Sequence, residues 1–211
     1  MDPDEIYEAI VAGRIDRIQD LVREALRDGG HPLQIISSHM TPAMGEVGDR
    51  FEGQNYFLPE MLAAAEAMKG AMAVLQPHLA EGDFEPRGVV VAGTVQGDLH
   101  DIGKNLVCMM LEGAGFRICD LGTDVPAQGF LEAAWREGAD IIAMSALISS
   151  TKKNLGDIVR ELRGAGTEDL PKLMIGGAPI TQEFCDQIQA DGYAPDAASA
   201  VRKAKALLGQ D

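Results

Sequence analysis

Aromatic side chains are scarce in this chain: one Trp, three Tyr and six Phe among 211 residues. Alanine and glycine are plentiful instead, which favours closely packed helices over a β-sandwich. Cysteine is scarce as well. Cys108, Cys119 and Cys185 are scattered, odd in number and without a C-x-x-C pair, which argues against a disulfide framework or a zinc cluster. They read as reduced residues, mostly in the core. No apolar run approaches the length of a membrane span. Basic residues are outnumbered, 18 Lys and Arg against 33 Asp and Glu, for a net charge of −15 spread along the chain. That charge opposes the attraction on which nucleic-acid binding depends and repels an anionic membrane, so neither partner is expected. Its plain consequence is solubility. The opening residues MDPDEIYEAI are acidic, unlike a secretory signal or an arginine-rich transit peptide, and a cytoplasmic location is expected.

The rest is an ordinary globular composition, 46% hydrophobic and 24% charged. The length suits a small domain followed by a medium one. Residues 1 to about 80 carry helical periodicity only. Asp2-Pro3-Asp4-Glu5 offers a capping residue, a proline suited to the first helical position and a glutamate three residues beyond the cap. Ile15, Ile18, Leu21, Val22, Ala25 and Leu26 predict a helix from about Ile15 to Arg27, stopped by Gly29-Gly30. A third segment starts near Pro32 and closes near Phe51-Glu52-Gly53, with Pro42 either kinking it or opening a new helix. A last helix, rich in alanine and methionine, runs from about Leu58 to Gln76 and ends at Pro77. Four helices with short connections predict an antiparallel four-helix bundle.

Glu81 to Arg87 is polar, with Gly82 and Pro86, and reads as a linker. It divides the chain into a helical cap domain, 1–83, and a second domain, 84–211. In the second, strands alternate with helices. Strands are expected at Gly88 to Gly93, Phe116 to Asp120, Asp140 to Met144, Lys172 to Ile175 and Gly192 to Ala194. Helices are expected near Lys104 to Gly113, Gln128 to Glu137, Leu155 to Arg163, Thr181 to Ala190 and Ala197 to Leu208. Apolar strands alternating with helices predict an α/β domain: a Rossmann-like, doubly wound, five-stranded parallel sheet in flavodoxin-like order. Ligands in such folds sit at the carboxyl ends of the strands.

The loop after the first strand, Thr94 to Asn105 (TVQGDLHDIGKN), lies at such an end. It lacks the G-x-G-x-x-G of a dinucleotide site and the spaced glycine of a phosphate-binding P-loop. It offers instead His100 between Asp98 and Asp101, flanked by Gly97 and Gly103. An imidazole nitrogen suits a borderline metal, and a carboxylate on the other ring nitrogen fixes the tautomer. Glycines let a bulky group approach the backbone. On the loop alone, a surface histidine and a metal ligand both fit. A zinc site would need further protein ligands, and none lie nearby in the sequence. A single protein ligand suits a metal that brings its own equatorial ring.

D-x-H-x-x-G at Asp98, His100 and Gly103, S-x-L at Ser145 and Leu147, and the pair Gly176-Gly177 follow the first, third and fourth expected strands. Together they resemble the corrinoid-binding signature of cobalamin-dependent methionine synthase, corrinoid methyltransferase proteins and some mutases. The resemblance implies His100 as the lower cobalt ligand, in place of the corrin's own benzimidazole. Asp98 would hydrogen-bond that histidine and couple ligation to protonation. Leu99, Asp101 and Ile102 of the loop would contact the corrinoid. The displaced nucleotide tail would run down a cleft lined by Ser145 and Leu147, with room left by Gly176-Gly177, and Ser149 would also contact the corrinoid. Thr151 stands where related proteins often place a serine that extends the Asp–His hydrogen-bond chain. In the helical half, Val47 to Phe51 and Phe57 to Met61 resemble the cap of methyl-carrying corrinoid proteins, with Phe51, Leu58 and Met61 shielding the upper corrin face.

The function so implied is a methyl carrier on cobalamin or a related corrinoid. A donor-specific methyltransferase would place a methyl on Co(I), giving methyl-Co(III). An acceptor methyltransferase would pass it to tetrahydrofolate or a thiol, with a reductive activation protein as a third partner. No acid–base pair or nucleophile of the chain's own is visible, so in isolation it reads as a carrier and not a complete enzyme. A cobalamin-sensing regulator would need a DNA-binding module, for which neither room nor charge is present. The small subunit of an adenosylcobalamin mutase would typically lack the helical cap. A phosphoacceptor receiver would want an aspartate ending the third strand, where Met144-Ser145 stand.

Overall fold

The computed structural model of the chain describes residues 4–79, 86–165 and 170–210. Contacts divide the chain into two compact units, one ending at Glu85 and taking in Gly113–Gly115, the other made of Pro86–Glu112 and Phe116–Asp211. The expected Asp2-Pro3 cap, the linker from Glu81 through Glu85 and the division at 83/84 lie outside the described residues.

The first unit is a helical bundle: α1 (Asp4–Val11), α2 (Ile15–Arg27), α3 (Pro32–Ile35), a π-helical turn (Ile36–Met40), α4 (Thr41–Glu52) and α5 (Leu58–Leu75). Helix α2 buries Ile18, Leu21 and Val22. Ile15, on the same apolar stripe, stays exposed at the helix's first position. Helix α5 buries Ala64, Ala67, Met68, Ala71 and Leu75 at the three- and four-residue spacing of one helix face. Small side chains let backbones approach: a Cβ at Gly13 would stand 2.5 Å from that of Ala63. The start of α5 is fixed by Glu60, whose carboxylate accepts the Phe57 N–H at 3.0 Å. Pro42 stands in the first turn of α4, as one of the two expectations has it, but with no loop ahead of it. The run is helical from Pro32 to Glu52, and the Thr41 N–H reaches back five residues to the Ile36 carbonyl. This wider turn sits directly ahead of a residue that has no N–H to give and whose ring needs space.

The second unit contains β1 (Val89–Thr94), α6 (Ile102–Gly113), β2 (Arg117–Asp120), α7 (Ala127–Glu137), β3 (Ile141–Ser145), α8 (Ser149–Gly164), β4 (Lys172–Gly176), α9 (Gln182–Ile188), β5 (Gly192–Ala194) and α10 (Ala197–Leu207). The sheet runs β2-β1-β3-β4-β5 with every pairing parallel, the flavodoxin-like order. The central strands are buried on both faces. On one, Val91, Ile142, Met144, Leu173 and Ile175 pack with Phe130 of α7 and Leu155, Val159 and Leu162 of α8. On the other, Val90, Ala92, Ile141, Ala143 and Met174 are buried as well. Polar caps start the later helices, with Thr181 Oγ1 accepting the Phe184 N–H and Asp196 accepting the Ser199 N–H.

Two helix starts differ from the sequence expectation. Helix α6 begins at Ile102, two residues before Lys104, and α8 at Ser149, well before Leu155. Ser149-Ser150-Thr151 carries no apolar periodicity, so a hydrophobic pattern cannot find it. Its short polar side chains nevertheless suit a first helical turn, where free backbone groups need partners. Register then fixes what lies at the sheet's carboxyl edge: Thr94 pairs with Ser145, Ser145 with Gly176, and Gly176 with Ala194. In this order the direction of winding reverses between β1 and β3, the switch point at which open α/β sheets bind ligands.

Candidate functional site

The loop from Val95 to Asp101 leaves β1 at that switch point and is held from several sides. The Asn154 amide of α8 donates to the Gln96 carbonyl at 2.9 Å. Asp124, in the loop after β2, accepts the Gly97 N–H at 2.7 Å through Oδ1, and its own N–H donates to the Asp98 carbonyl at 3.1 Å. Gly97 sits at φ +84, a conformation that glycine takes without strain. The Thr94 hydroxyl, buried at the end of β1, donates to the His100 carbonyl at 2.9 Å.

Asp98 is the centre of this loop and is 1% exposed. Its Oδ1 accepts the His100 backbone N–H at 3.1 Å and faces the His100 Nδ1 at 2.7 Å. Its Oδ2 accepts the Leu147 N–H at 2.8 Å and the Thr151 hydroxyl at 2.6 Å. Burial alone would raise the pKa of this carboxyl. The bonds from Thr151, Leu147 and His100 outweigh it and hold Asp98 well below the usual carboxylate range. An ionised carboxylate only accepts, so the Nδ1 facing it carries the hydrogen. In the neutral ring the lone pair is then on Nε2. The His100 side chain is 53% exposed, so that lone pair faces outward.

The three parts of the sequence signature meet at this edge. Ser145 ends β3 beside Thr94, and Leu147 bonds Asp98 through its backbone. Thr151 reaches Asp98 because α8 starts early enough to carry it there. Ser149 is exposed in the same first turn. Gly176 and Gly177 end β4 with a close approach of backbone: a Cβ would stand 2.9 Å from the Ala194 carbonyl oxygen at Gly176 and 1.9 Å from that of Ala146 at Gly177, where φ is +122. The fold itself therefore requires glycine at 177. Gly103 is different: a Cβ there meets nothing within 4 Å. Leu99 and Ile102, on either side of His100, are 74% and 78% exposed, and Asp101 is exposed between them. In the helical unit Phe51 is half-buried, Leu58 is exposed and Met61 is fully buried.

Sequence reasoning missed Thr94, Asp124 and Asn154. A threonine ending an apolar strand was the one available signal. The contacts of Asp124 and Asn154 depend on where separate elements meet, which spacing does not encode.

Among the described residues, no group of three or more His, Cys, Asp or Glu side chains converges to hold a bare metal ion. One outward imidazole nitrogen, oriented by a buried carboxylate and ringed by exposed apolar side chains, fits a metal already held in an apolar macrocycle. The open space at Gly103 fits a bulky group lying on the loop. The residues present therefore fit a corrinoid.

Comparisons with known proteins point the same way. Residues 3–76 and 88–202 each match a family described as a B12 binding domain. The chain is 43% identical to trimethylamine corrinoid protein 1 of Methanosarcina acetivorans, covering 95% of this chain and 98% of that one. It is 42% identical to the dimethylamine corrinoid protein of Methanosarcina barkeri, covering 97% and 96%. Among solved structures, a cobalamin-binding protein from Desulfitobacterium hafniense superposes with a TM-score of 0.80 at 28% identity, covering 98% of both chains. A chain of the methanol:cobalamin methyltransferase complex of Methanosarcina barkeri superposes with a TM-score of 0.85 at 28% identity, covering 98% of this chain and 79% of that one. The chain belongs to the family of B12-binding corrinoid proteins.

Proposed function

We propose that this chain is the corrinoid-bearing methyl carrier of a multi-component methyltransferase system, with His100 as the protein's ligand to cobalt. The observation that carries the reading is the Asp98–His100 pair, which leaves an outward Nε2 at the switch point of the sheet. When bound, the corrinoid supplies the cobalt on which a methyl group is accepted and given up. The chain's own residues do the rest. Asp98 holds the ring in one tautomer and orientation, and Thr151 and Leu147 hold Asp98. Leu99, Ile102 and Leu147 offer apolar surface beside the histidine. Ser145, Leu147, Gly176 and Gly177 are assigned to the path of the nucleotide tail, and Ser149 and Asp101 to other contacts with the corrinoid.

The division at 83/84 belongs to the same proposal, with Phe51, Leu58 and Met61 assigned to the methyl-bearing face. The expected partners are a donor-specific methyltransferase, an acceptor methyltransferase using tetrahydrofolate or a thiol, and a reductive activation protein. The names of the 40–43% identical relatives support a methylated amine as the donor class. No helix among the described residues is long and apolar enough to cross a membrane, and a cytoplasmic location fits this role.

The test is electron paramagnetic resonance of the Co(II) form of the reconstituted protein. One nitrogen ligand is expected, and nitrogen-15 labelling of histidine should change its hyperfine splitting. Unchanged splitting would remove His100 from cobalt.

A further inference from the structure

Polar or charged side chains buried among the described residues are Thr94, Asp98, Lys104 and Thr151. Two of them bear directly on His100, Thr94 on its carbonyl and Asp98 on its ring, and Thr151 acts through Asp98. Lys104 has no part in the site as described so far. Its side chain is 4% exposed and stands in the first turn of α6, where the helix dipole disfavours a cation. Removal from water disfavours the charge again. An apolar side chain would fill the same space without either cost, so packing gives no reason for a lysine here. The partners of the ammonium do.

Lys104 Nζ donates to the Asp120 carboxylate at the end of β2 and, at 2.6 Å, to the Asn105 side-chain oxygen. From Asp120 the chain of bonds continues inward. Its Oδ1 accepts the Gly122 N–H at 2.9 Å, the Gly122 carbonyl accepts the Thr94 N–H at 2.9 Å, and the Thr94 hydroxyl holds the His100 carbonyl. From Asn105 a second arm runs back to the loop. Its amide donates to Asp101 Oδ2 at 3.2 Å, and its backbone N–H donates to the Asp101 carbonyl at 2.7 Å. One arm ends on the peptide of His100 and the other on the residue that follows it.

We propose that Lys104 is a positioning residue for the cobalt ligand: through Asp120 and Asn105 it pins the His100 carbonyl and the Asp101 residue that follows, fixing where the imidazole stands. The inference rests on His100 being that ligand. Asp98 sets the rotation of the ring, whereas Lys104 sets the height and tilt of the backbone that carries it. Site groups must be held to about 0.5 Å and 10–20° to act, and an exposed histidine on a loop meets that only if its backbone is clamped.

The test uses the full-length chain loaded with cob(II)inamide, a corrinoid without the nucleotide base, so that any nitrogen on cobalt comes from protein. Three forms are compared: wild type, Lys104→Met, and Lys104→Met combined with Asp120→Asn. The double variant removes both charges of the pair while keeping an acceptor for the Gly122 N–H. Cobinamide affinity, nitrogen hyperfine splitting and melting temperature are measured for each. The single variant should lose stability and bind on the order of tenfold more weakly, the lower end of losses around metal ligands. The double variant should regain melting temperature yet keep the weakened binding and a reduced nitrogen-coordinated fraction. A double variant with wild-type binding and splitting would make the pair a fold element only and overturn the proposal. No nitrogen splitting in wild type would instead overturn the His100 assignment, and the inference with it.

Discussion

A carboxylate taken out of water loses solvation worth several kcal/mol unless donors replace it. Asp98 receives donors on both oxygens, from His100 on one and from Leu147 and Thr151 on the other. Asp98→Asn offers one oxygen where two are needed, and its NH₂ meets N–H and O–H donors. Histidine–cobalt ligation should then weaken about 10–100-fold, read from the nitrogen splitting and corrinoid affinity. The depressed pKa also sets an acid dependence for the unloaded protein. Asp98 is ionised in the folded chain at pH values where it would already bind a proton in the unfolded one. Its stabilisation is therefore complete above the unfolded value of about 4 and is lost as pH falls toward the lower folded value. Urea unfolding at pH 5 and pH 3 should show a smaller drop in Asp98→Asn than in wild type, and equal drops would contradict the ionised, bonded state. Thr151 is tested separately. Thr151→Ser keeps the donor and should be near neutral, while Thr151→Val leaves Asp98 short of a bond and should cost about 1–3 kcal/mol. At this scale the D-x-H spacing was legible because both residues lie in one short loop. Thr94 and Asp124 were not. A hydroxyl at a strand end looks alike whether or not it finds a carbonyl. Although aspartate enters the left-handed region more readily than most residues, its type alone does not say that Asp124 takes a φ of +59.

Elements were legible wherever apolar periodicity defines them. The buried runs of β1, β3 and β4 and the striped helices appear close to their expected places. The first turn of α8 did not, because Ser149-Ser150-Thr151 has no stripe, and that turn is what delivers Thr151 to Asp98. Glycines at the ends of these elements were legible as a pattern, but their reasons differ. At Gly177 the backbone conformation and the Ala146 carbonyl exclude a side chain, so Gly177→Ala should destabilise the unloaded chain by at least the 1–3 kcal/mol typical of such strain. At Gly103, inside α6 with open space around it, alanine is tolerated by the fold. Gly103→Ala should raise the melting temperature slightly, since alanine gains at most about 0.5–1 kcal/mol over glycine in a helix and Gly103 is in the first turn, yet weaken corrinoid binding by crowding the loop. Thermal unfolding and cobalamin titration of the two variants separate a glycine kept for the fold from one kept for the ligand. The deciding variant is Gly103→Ala: unchanged binding there, or weakened binding that follows from lost stability, would contradict that separation.

Over the whole molecule, a carrier must protect its methyl group between partners and still release it, which asks different things of Leu58 and Met61. Leu58 is 41% exposed at the start of α5, beside Phe57 at 65% and near Leu62 at 37%, so it has apolar surface to offer. Met61, at 0%, has none, and its removal is a core truncation costing about 2–5 kcal/mol. Leu58→Ala should therefore leave the melting temperature almost unchanged while light removes the methyl group from bound methylcobalamin faster. Met61→Ala should lower the melting temperature first, with any loss of protection following from it. The fragment 84–211 keeps His100, Asp98, Lys104 and the glycine edge, and should bind cobalamin through them with the protection gone altogether. Photolysis rates at matched occupancy decide the matter. If full-length protein, Leu58→Ala and fragment all lose methyl at one rate, Leu58 shields nothing and is an ordinary residue of the helical bundle. If the fragment alone is fast, shielding belongs to the helical unit as a body and not to the side chain at 58.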